Sequence, residues 1–432
     1  MSTTQHDLAA LWRGIAAAGS TDKWVEQQLQ EHGFLVNRRE TDGMSKRQLA
    51  TYKKELKREA AERRNLRKEG WAAYKSTHIV HLGEGIYWND ADTFDKWDLP
   101  EPEARAAENE LPKLDNPNDL AEALGLTIGE LRWLSYHRDA AKTLHYKRFT
   151  IPKRDGSERA IWAPLPKLKA AQRWILRNIV EHLPVHGAAH GFMPGRSILT
   201  NAQPHTGSRL VVNIDLKDFF PTVTFRRVRG MFRKAGYREQ VATLLAAICT
   251  ESPREIVEYD GQTWFVALGP RCLPQGAPTS PMITNTICMR LDRRLTGLAK
   301  KSGYTYTRYA DDLTFSLPAT HKGAPKTGRL IGLVKKVVAG EGFAVNAKKT
   351  AVRRTGGRQQ VTGLVVNAAG TPRVPRPLKR QLRAAIHNLE QGKPLPEGES
   401  LARLAGFAAF VHMAEPELGR RLLDALGAIQ NA

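Results

Sequence analysis

The sequence predicts an α+β protein, and two patterns carry that prediction. Short β-rich runs alternate with helical stretches from about residue 143 to about residue 370, and helical spacing dominates both ends of the chain. A third observation bears on partners: 66 Lys and Arg stand against 44 Asp and Glu, a formal net charge of +22. The excess is spread along the chain rather than held in one tail, which favours a polyanion partner, nucleic acid, over a merely solvated surface. An apolar fraction of 41% is ordinary for a protein with a packed core. The length of 432 residues fits roughly two or three domains.

Residues 1–42 read as a short helical segment. Residues 43–70 hold ten basic and four acidic residues with few breakers, the composition of an exposed basic helix. Residues 84–122 invert that balance, with twelve acidic and three basic residues plus Pro100, Pro102, Pro112 and Pro117, which is linker chemistry. Opposite signs permit the two blocks to touch; each can equally be a solvated face. The expected division is therefore a basic helical N-terminal extension (1–83) and an acidic linker (84–119). From Leu120 the pattern turns globular, with Leu120, Leu124, Leu131 and Leu134 at helical spacing. Near the end, Leu378, Leu382, Ala385, Ile386 and Leu389 share one helix face. Arg376, Lys379, Arg380, Arg383 and His387 share the other, and Gly392 is placed to end the helix. Cys249, Cys272 and Cys288 form no C-x-x-C pair, so neither a disulfide framework nor a zinc site is expected. The N-terminus has no signal-peptide pattern, and no apolar run reaches about 18 residues, so a cytoplasmic protein away from membranes is expected.

Three carboxylates concentrate the chemistry. Leu210, Val211, Val212 and Ile214 form a buried-strand run that Asp215 interrupts at its end, where a charge is costly unless paired or metal-bound. In YTYTRYADDLTFSL, β-rich residues flank Asp311 and Asp312, which predicts a hairpin with the acids at its turn. Adjacent acids repel each other, and a divalent cation removes that penalty. Nucleotide addition needs such a site: a hydroxyl attacks the α-phosphorus in line while pyrophosphate leaves. Two Mg²⁺ ions about 4 Å apart activate the attacking oxygen and neutralise the leaving one. Carboxylate oxygens suit Mg²⁺, with Mn²⁺ as a substitute.

These segments carry a family resemblance. Tyr309, Ala310, Asp311 and Asp312 resemble the signature hairpin of reverse transcriptases, and Asp215-Leu216-Lys217-Asp218-Phe219-Phe220 is similar to their first catalytic motif. The resemblance implies that Asp215, Asp311 and Asp312 are the metal ligands and that Phe220 lies under the nucleotide sugar, excluding a 2′-hydroxyl by size. Asp218 is expected to be structural or capping. Residues 273–281, LPQGAPTSP, resemble the loop whose Gln and Gly (here Gln275 and Gly276) lie beside the incoming nucleotide and template. Gly276 is expected to let backbone approach a base pair closely. Lys153 and Arg159, about a turn at Asp155 and Gly156, resemble the fingers hairpin that covers the triphosphate. Residues 342–350 are similar to the next palm segment, in which Lys348 or Lys349 approaches phosphate.

Two further elements resemble the bacterial retron branch. Asn201-Ala202-Gln203-Pro204-His205 is similar to the retron N-A-x-x-H element and follows the retron-like HGFMPGRSILT; Val361, Thr362 and Gly363 are similar to the retron V-T-G element. On that resemblance Asn201, His205, Val361, Thr362 and Gly363 are expected to recognise RNA. The resemblance covers about residues 120–430, and the extension before it exceeds the minimal retron pattern. It implies a right-hand polymerase: fingers with a helical lead-in (120–210), palm (211–370) and helical thumb (371–432). The implied reaction is RNA-templated DNA synthesis from deoxynucleoside triphosphates on a cognate structured noncoding RNA. It starts at an internal guanosine 2′-hydroxyl and yields branched multicopy single-stranded DNA, with an effector protein and a role in anti-phage defence. The rival readings are another bacterial reverse transcriptase, group II intron-like or defence-associated, and a non-catalytic RNA scaffold. The absence of an HNH-like or zinc-bearing C-terminal segment opposes a mobile-intron protein, and the carboxylate triad opposes the scaffold.

Overall fold

The computed structural model describes residues 3–90, 95–152, 156 and 158–431. The chain opens with helices α1 (Thr3–Ala17), α2 (Thr21–Glu31), α3 (Lys46–Thr77), α4 (Pro102–Glu108), α5 (Pro117–Ala123) and α6 (Ile128–Ser135). Strands β1 (Ala140–Ala141), β2 (Tyr146–Pro152) and β3 (Glu158–Pro164) lead into helices α7 (Pro166–Asn178) and α8 (Ile198–Ala202). Next come β4 (Leu210–Lys217), α9 (Phe225–Ala235), α10 (Glu239–Cys249), β5 (Arg254–Tyr259) and β6 (Gln262–Ala267). Helices α11 (Ser280–Ile287) and α12 (Met289–Lys301), hairpin β7 (Thr305–Tyr309) and β8 (Asp312–Leu317), α13 (Thr327–Gly340) and β9 (Ala344–Arg354) follow. The chain closes with β10 (Gln360–Val361), β11 (Leu364–Val365), α14 (Arg376–Glu390), α15 (Leu401–Ala414) and α16 (Pro416–Asn431).

The chain divides into two compact units. The first comprises residues 1–145, 232–248 and 254–269. Ser45 caps α3 through a reciprocal box with Gln48, which starts that long helix cleanly. Its inner side buries Leu66 and Ala73 against Ile15, Trp24, Val25 and Leu29 of α1 and α2. Glu59 is buried there because Arg38 grips it bidentately at 2.9 and 3.0 Å and Arg63 adds 2.8 Å. These partners outweigh the cost of burial and hold its carboxyl below the usual range.

The acidic stretch expected as a linker is folded in this unit. Asp98 Oδ1 accepts from the Glu239 backbone N–H, and Arg238 pairs with Glu103 at 2.6 Å. Leu114 and Asp95 are buried. Composition could not reveal this, since the partners lie far along the chain. The single helix suggested by Leu120 to Leu134 is two, because Thr127 restarts the chain with a capping box to Glu130.

The second unit comprises residues 146–231, 249–253 and 270–432. Its centre is an antiparallel sheet of order β7-β8-β4-β9. Val211, Val212, Ile214 and Leu216 of β4 are all buried, so both faces of the strand are covered, which explains its unbroken apolar run. Helices α14, α15 and α16 close over Leu382, Ile386, Leu404, Ala408, Val411 and Leu422. Leu378, Ala385 and Leu389 of α14 pack on the same cluster, as their spacing predicts. One cation leaves the expected basic face: Lys379 pairs with Glu415 at 2.8 Å. Gly392, with φ 72°, ends α14 in the left-handed conformation.

Candidate active site

The acids meet because of strand register. In the β4–β8 pairing Asp215 lies opposite Asp312, and the Leu216 N–H donates to the Asp311 carbonyl at 2.9 Å. Tyr309 pairs with Asp312 across the hairpin, leaving Ala310 and Asp311 as its two-residue turn. Ala310 takes φ 55°, the left-handed form such tight hairpins require. Asp215 is buried, Asp311 partly so and Asp312 exposed. Asn346 Nδ2 donates to Asp215 Oδ1 at 2.9 Å, and Lys349 Nζ reaches Oδ2 at 3.3 Å. Burial raises the Asp311 carboxyl, Asp215 adds to the rise, and Lys349 and Arg159 oppose it. Although Asp312 is exposed as a residue, desolvation followed by the charges of Asp311 and Asp215 pushes its carboxyl up to about 6. The three are thus electrostatically coupled. Among the described residues no group of three or more His, Cys, Asp or Glu side chains is already arranged to hold a metal ion.

A buried network holds the turn from behind. Arg308 is fully buried and grips Asp292 of α12, Nε to Oδ1 at 2.9 Å and Nη2 to Oδ2 at 2.7 Å. Its Nη1 donates to Asn285 Oδ1 at 2.9 Å and to the Ala310 carbonyl of the turn at 3.2 Å. Tyr306 Oη also donates to Asp292, at 2.8 Å. The preceding HGF segment runs beside β7: His190 N–H donates to the Arg308 carbonyl, and Gly191 lies so near the turn that a Cβ would stand 2.7 Å from the Ala310 nitrogen.

Beside the acids lies a cavity of about 800 Å³. Asp215, Asp311, Arg159, Phe220, Gln275, Gly276 and Lys349 line it, with Trp162 and Phe192. Phe219 faces the core against Phe343, while Phe220 is half-buried at the cavity wall. Gly276 has φ 122°, and a Cβ there would stand 2.7 Å from the Trp162 carbonyl, so within the protein it permits a close approach to β3. The Trp162 N–H donating to the Gln275 carbonyl at 2.7 Å pins the loop there. Asp218 has φ 46°, and its carbonyl accepts from Thr222, so it shapes the turn after β4. Of the two lysines left open, Lys349 is the one at Asp215. Lys153 lies outside the described residues, as does Asp155.

Comparison with known proteins fits this arrangement. Residues 151–368 match the family model for reverse transcriptase (RNA-dependent DNA polymerase). Over 97% of its length the chain is 52% identical to the retron Mx162 reverse transcriptase of Myxococcus xanthus, of which it covers 88%. It is 33% identical, over 74% of its length, to the retron Ec86 reverse transcriptase of Escherichia coli, of which it covers 91%. This chain belongs to the bacterial retron reverse transcriptases. It is an RNA-directed DNA polymerase.

In this reverse transcriptase the two retron-like elements meet. Asn201 Nδ2 donates to Thr362 Oγ1 at 3.4 Å, and Thr362 Oγ1 donates to the Ile198 carbonyl at 3.2 Å. Asn201, His205 and Val361 are wholly buried, Thr362 is half-buried and Gly363 exposed. Asn201 and His205, expected to recognise RNA, are thus enclosed by protein, and their hydrogen bonds here go to protein groups. The His205 imidazole bridges Ser316 Oγ at 2.7 Å and Thr307 Oγ1 at 2.8 Å, clamping β7 to β8 behind the Ala310–Asp311 turn. Desolvation, with a smaller push from His190, depresses its pKa to about 3, so it is neutral. Sequence reading missed Arg308, Asp292, Asn346 and Phe192. An Arg inside a Thr/Tyr-rich β-strand, immediately before the Y-A-D-D run, was the available signal for the first.

Proposed function

We propose that this reverse transcriptase copies a cognate structured retron RNA into branched multicopy single-stranded DNA, beginning at an internal guanosine 2′-hydroxyl. The observation that carries the catalytic part is the strand register that gathers Asp215, Asp311 and Asp312 beside a cavity lined by Arg159, Phe220 and Gln275. In this reading residues 146–210 serve as fingers, the β7-β8-β4-β9 sheet and its helices as palm, and α14 to α16 as thumb. The donor set fits Mg²⁺: three oxygen-bearing acids lie on adjoining strands, neighbouring charges oppose ionisation of Asp311 and Asp312, and a shared cation would remove that penalty. Two bound Mg²⁺, or Mn²⁺, would activate the attacking hydroxyl and neutralise leaving pyrophosphate.

The protein's own groups orient the reactants. Arg159 offers a guanidinium fork to triphosphate oxygens, and Lys153 is proposed to join it. Gln275, on a loop fixed to β3, presents its side chain to the nascent pair. Phe220 closes the wall under the sugar, and Lys349 steadies Asp215. Asn201, His205, Val361, Thr362 and Gly363 act on RNA through position, with only the Thr362–Gly363 turn at the surface. A cytoplasmic setting, an effector protein and anti-phage defence complete the reading.

The test is synthesis on the cognate RNA. RNase-treated product is expected to keep a ribonucleotide at its DNA 5′ end, removable by an enzyme specific for 2′–5′ bonds. A product with only ordinary 3′–5′ junctions would defeat the priming assignment and leave the polymerase standing. Phe220→Ala is expected to raise ribonucleotide incorporation relative to deoxynucleotide; an unchanged ratio with activity retained removes the gate.

A further inference from the structure

Helix α3 segregates its charges in a way that polymerase chemistry does not require. Advancing 100° per residue, Lys46, Lys53, Lys57, Arg64, Lys68 and Lys75 fall within an arc of about 60°. All six are exposed. The four acids between them, Glu55, Glu59, Glu62 and Glu69, all lie about 130° or more from the centre of that arc. Buried Leu66 and Ala73 mark the opposite side. The stripe is thus the outward face of the helix, free of acid for about 44 Å. Among the described residues none of the six has a salt-bridge partner; neighbouring Arg67 does, in Asp22 at 3.0 Å. An amphipathic helix needs only polarity outside. A stripe of one sign over eight turns repels itself unless an anion lies along it.

One aromatic interrupts the stripe at the same angle. Trp71 is 48% exposed. Tyr74 backs it at 5.6 Å between ring centroids and 13° between planes, and His78 stacks on Tyr74 at 4.2 Å and 7°. Lys75 Nζ stands 5.7 Å from the Trp71 centroid. A rigid, half-open indole amid spaced cations is the pairing that holds an unstacked base with its phosphates.

We propose that the outward face of α3 is a docking rail for RNA, with Trp71 stacking an unpaired base and the six cations following the backbone. The proposal rests on the RNA-copying reading above and adds where the extension grips that RNA. RNA is chosen over single-stranded DNA because it must be held before any DNA exists, and over an acidic protein because of the open indole.

The test uses the full chain and a fluorescein-labelled RNA hairpin with an unpaired tail, followed by anisotropy between about 50 and 200 mM salt. The variants are the triple Lys53→Glu/Lys57→Glu/Lys68→Glu, Trp71→Ala and Trp71→Phe, each checked for an unchanged melting temperature. The triple variant is expected to bind at least about tenfold more weakly and to lower the salt slope by about two. Trp71→Ala should lose about fivefold or more on the tailed hairpin, with the slope kept; Trp71→Phe should restore it, and a tail-less duplex should not register the change. All should extend a saturating short primer–template like the wild type. If a variant loses its fold, the neutral Lys53→Gln/Lys57→Gln/Lys68→Gln set is expected to give the same slope change. Wild-type affinity and slope in folded variants would overturn the rail, as would losses confined to a single-stranded DNA of the same sequence. A wild-type enzyme that fails to copy RNA would sink the functional reading, an outcome visible in a separate assay.

Discussion

Two hairpins of the second unit use the same backbone device to opposite ends. In one, Tyr309 pairs with Asp312 around Ala310 and Asp311; in the other, Val361 pairs with Leu364 around Thr362 and Gly363. Each turn places a non-glycine residue in the left-handed region, Ala310 at φ 55° and Thr362 at φ 45°. The first leaves its turn beside a cavity with charges that repel. The second buries Val361 and Leu364 completely in the cluster under α14, α15 and α16 and satisfies Thr362 through Ile198 and Asn201. Two short motifs, equally visible in sequence, thus differ in kind. One is proposed to present reacting groups; the other packs in the cluster of the terminal helices and the sheet. What separates them is the turn side chains: Thr362 Oγ1 is bonded inside the protein, whereas the Asp311 and Asp312 carboxylates repel each other beside the cavity.

The sharpest way to break this contrast is to neutralise the first hairpin. Asp311→Asn or Asp312→Asn is expected to reduce primer extension by about a thousandfold or more, as loss of a metal-ion site does. RNA affinity should stay within about twofold, since it comes from many cations. Normal extension by either variant removes the metal assignment. Withdrawing divalent cations from the wild-type enzyme should abolish extension in the same way.

Next in size is the support behind that hairpin. Arg308→Met leaves Asp292 as a lone buried charge and is expected to cost about 3–5 kcal/mol in urea unfolding. Arg308→Met with Asp292→Leu should recover most of that stability without recovering activity, because the Ala310 carbonyl still lacks its donor. Full activity in the double variant would show that Arg308 serves packing alone. In the second hairpin, Leu364→Ala is expected to cost about 2–5 kcal/mol through its cavity. Extension of an annealed primer well below the melting temperature should persist. Loss of extension at unchanged stability would make that hairpin catalytic after all.

The smallest effect concerns His205, which clamps the two strands of the first hairpin. It is neutral when folded, with a pKa near 3 against an ordinary 6.5. The unfolded chain therefore takes up its proton first as pH falls. The contribution is full above about pH 6.5 and is lost towards pH 3, by up to about 1.4 kcal/mol per unit. His205→Gln should flatten that slope in unfolding measured at about pH 7 and pH 5. An unchanged slope would mean the imidazole is not the buried group responsible.

The parts of the site written by local pattern were legible. An Asp at the end of an apolar strand and an Asp pair between β-rich runs stand out because burying such residues is costly. The α14 face was equally readable from periodicity. Other features depend on partners brought in from far away. Gly276 answers to the Trp162 carbonyl, Asp215 to Asn346 on another strand, and Arg308 to Asp292 on a helix; none of these pairings leaves a trace in spacing. The acidic stretch looked like a linker because its partners, among them the Glu239 N–H, lie 141 residues on from Asp98.

By itself the sequence pointed to a basic protein with a nucleic-acid partner and a helical extension, and its motifs resembled those of reverse transcriptases, because charge, period and a charged residue in an apolar run are properties of neighbouring positions. Tertiary structure alone decided which motif residues are exposed. Asn201 and His205 read as hydrogen-bonding groups in sequence, yet packing encloses them; Asn201 Nδ2 turns to Thr362 and the two His205 ring nitrogens to Ser316 and Thr307. Burial is set by what the rest of the chain lays over a residue, and no local pattern contains that.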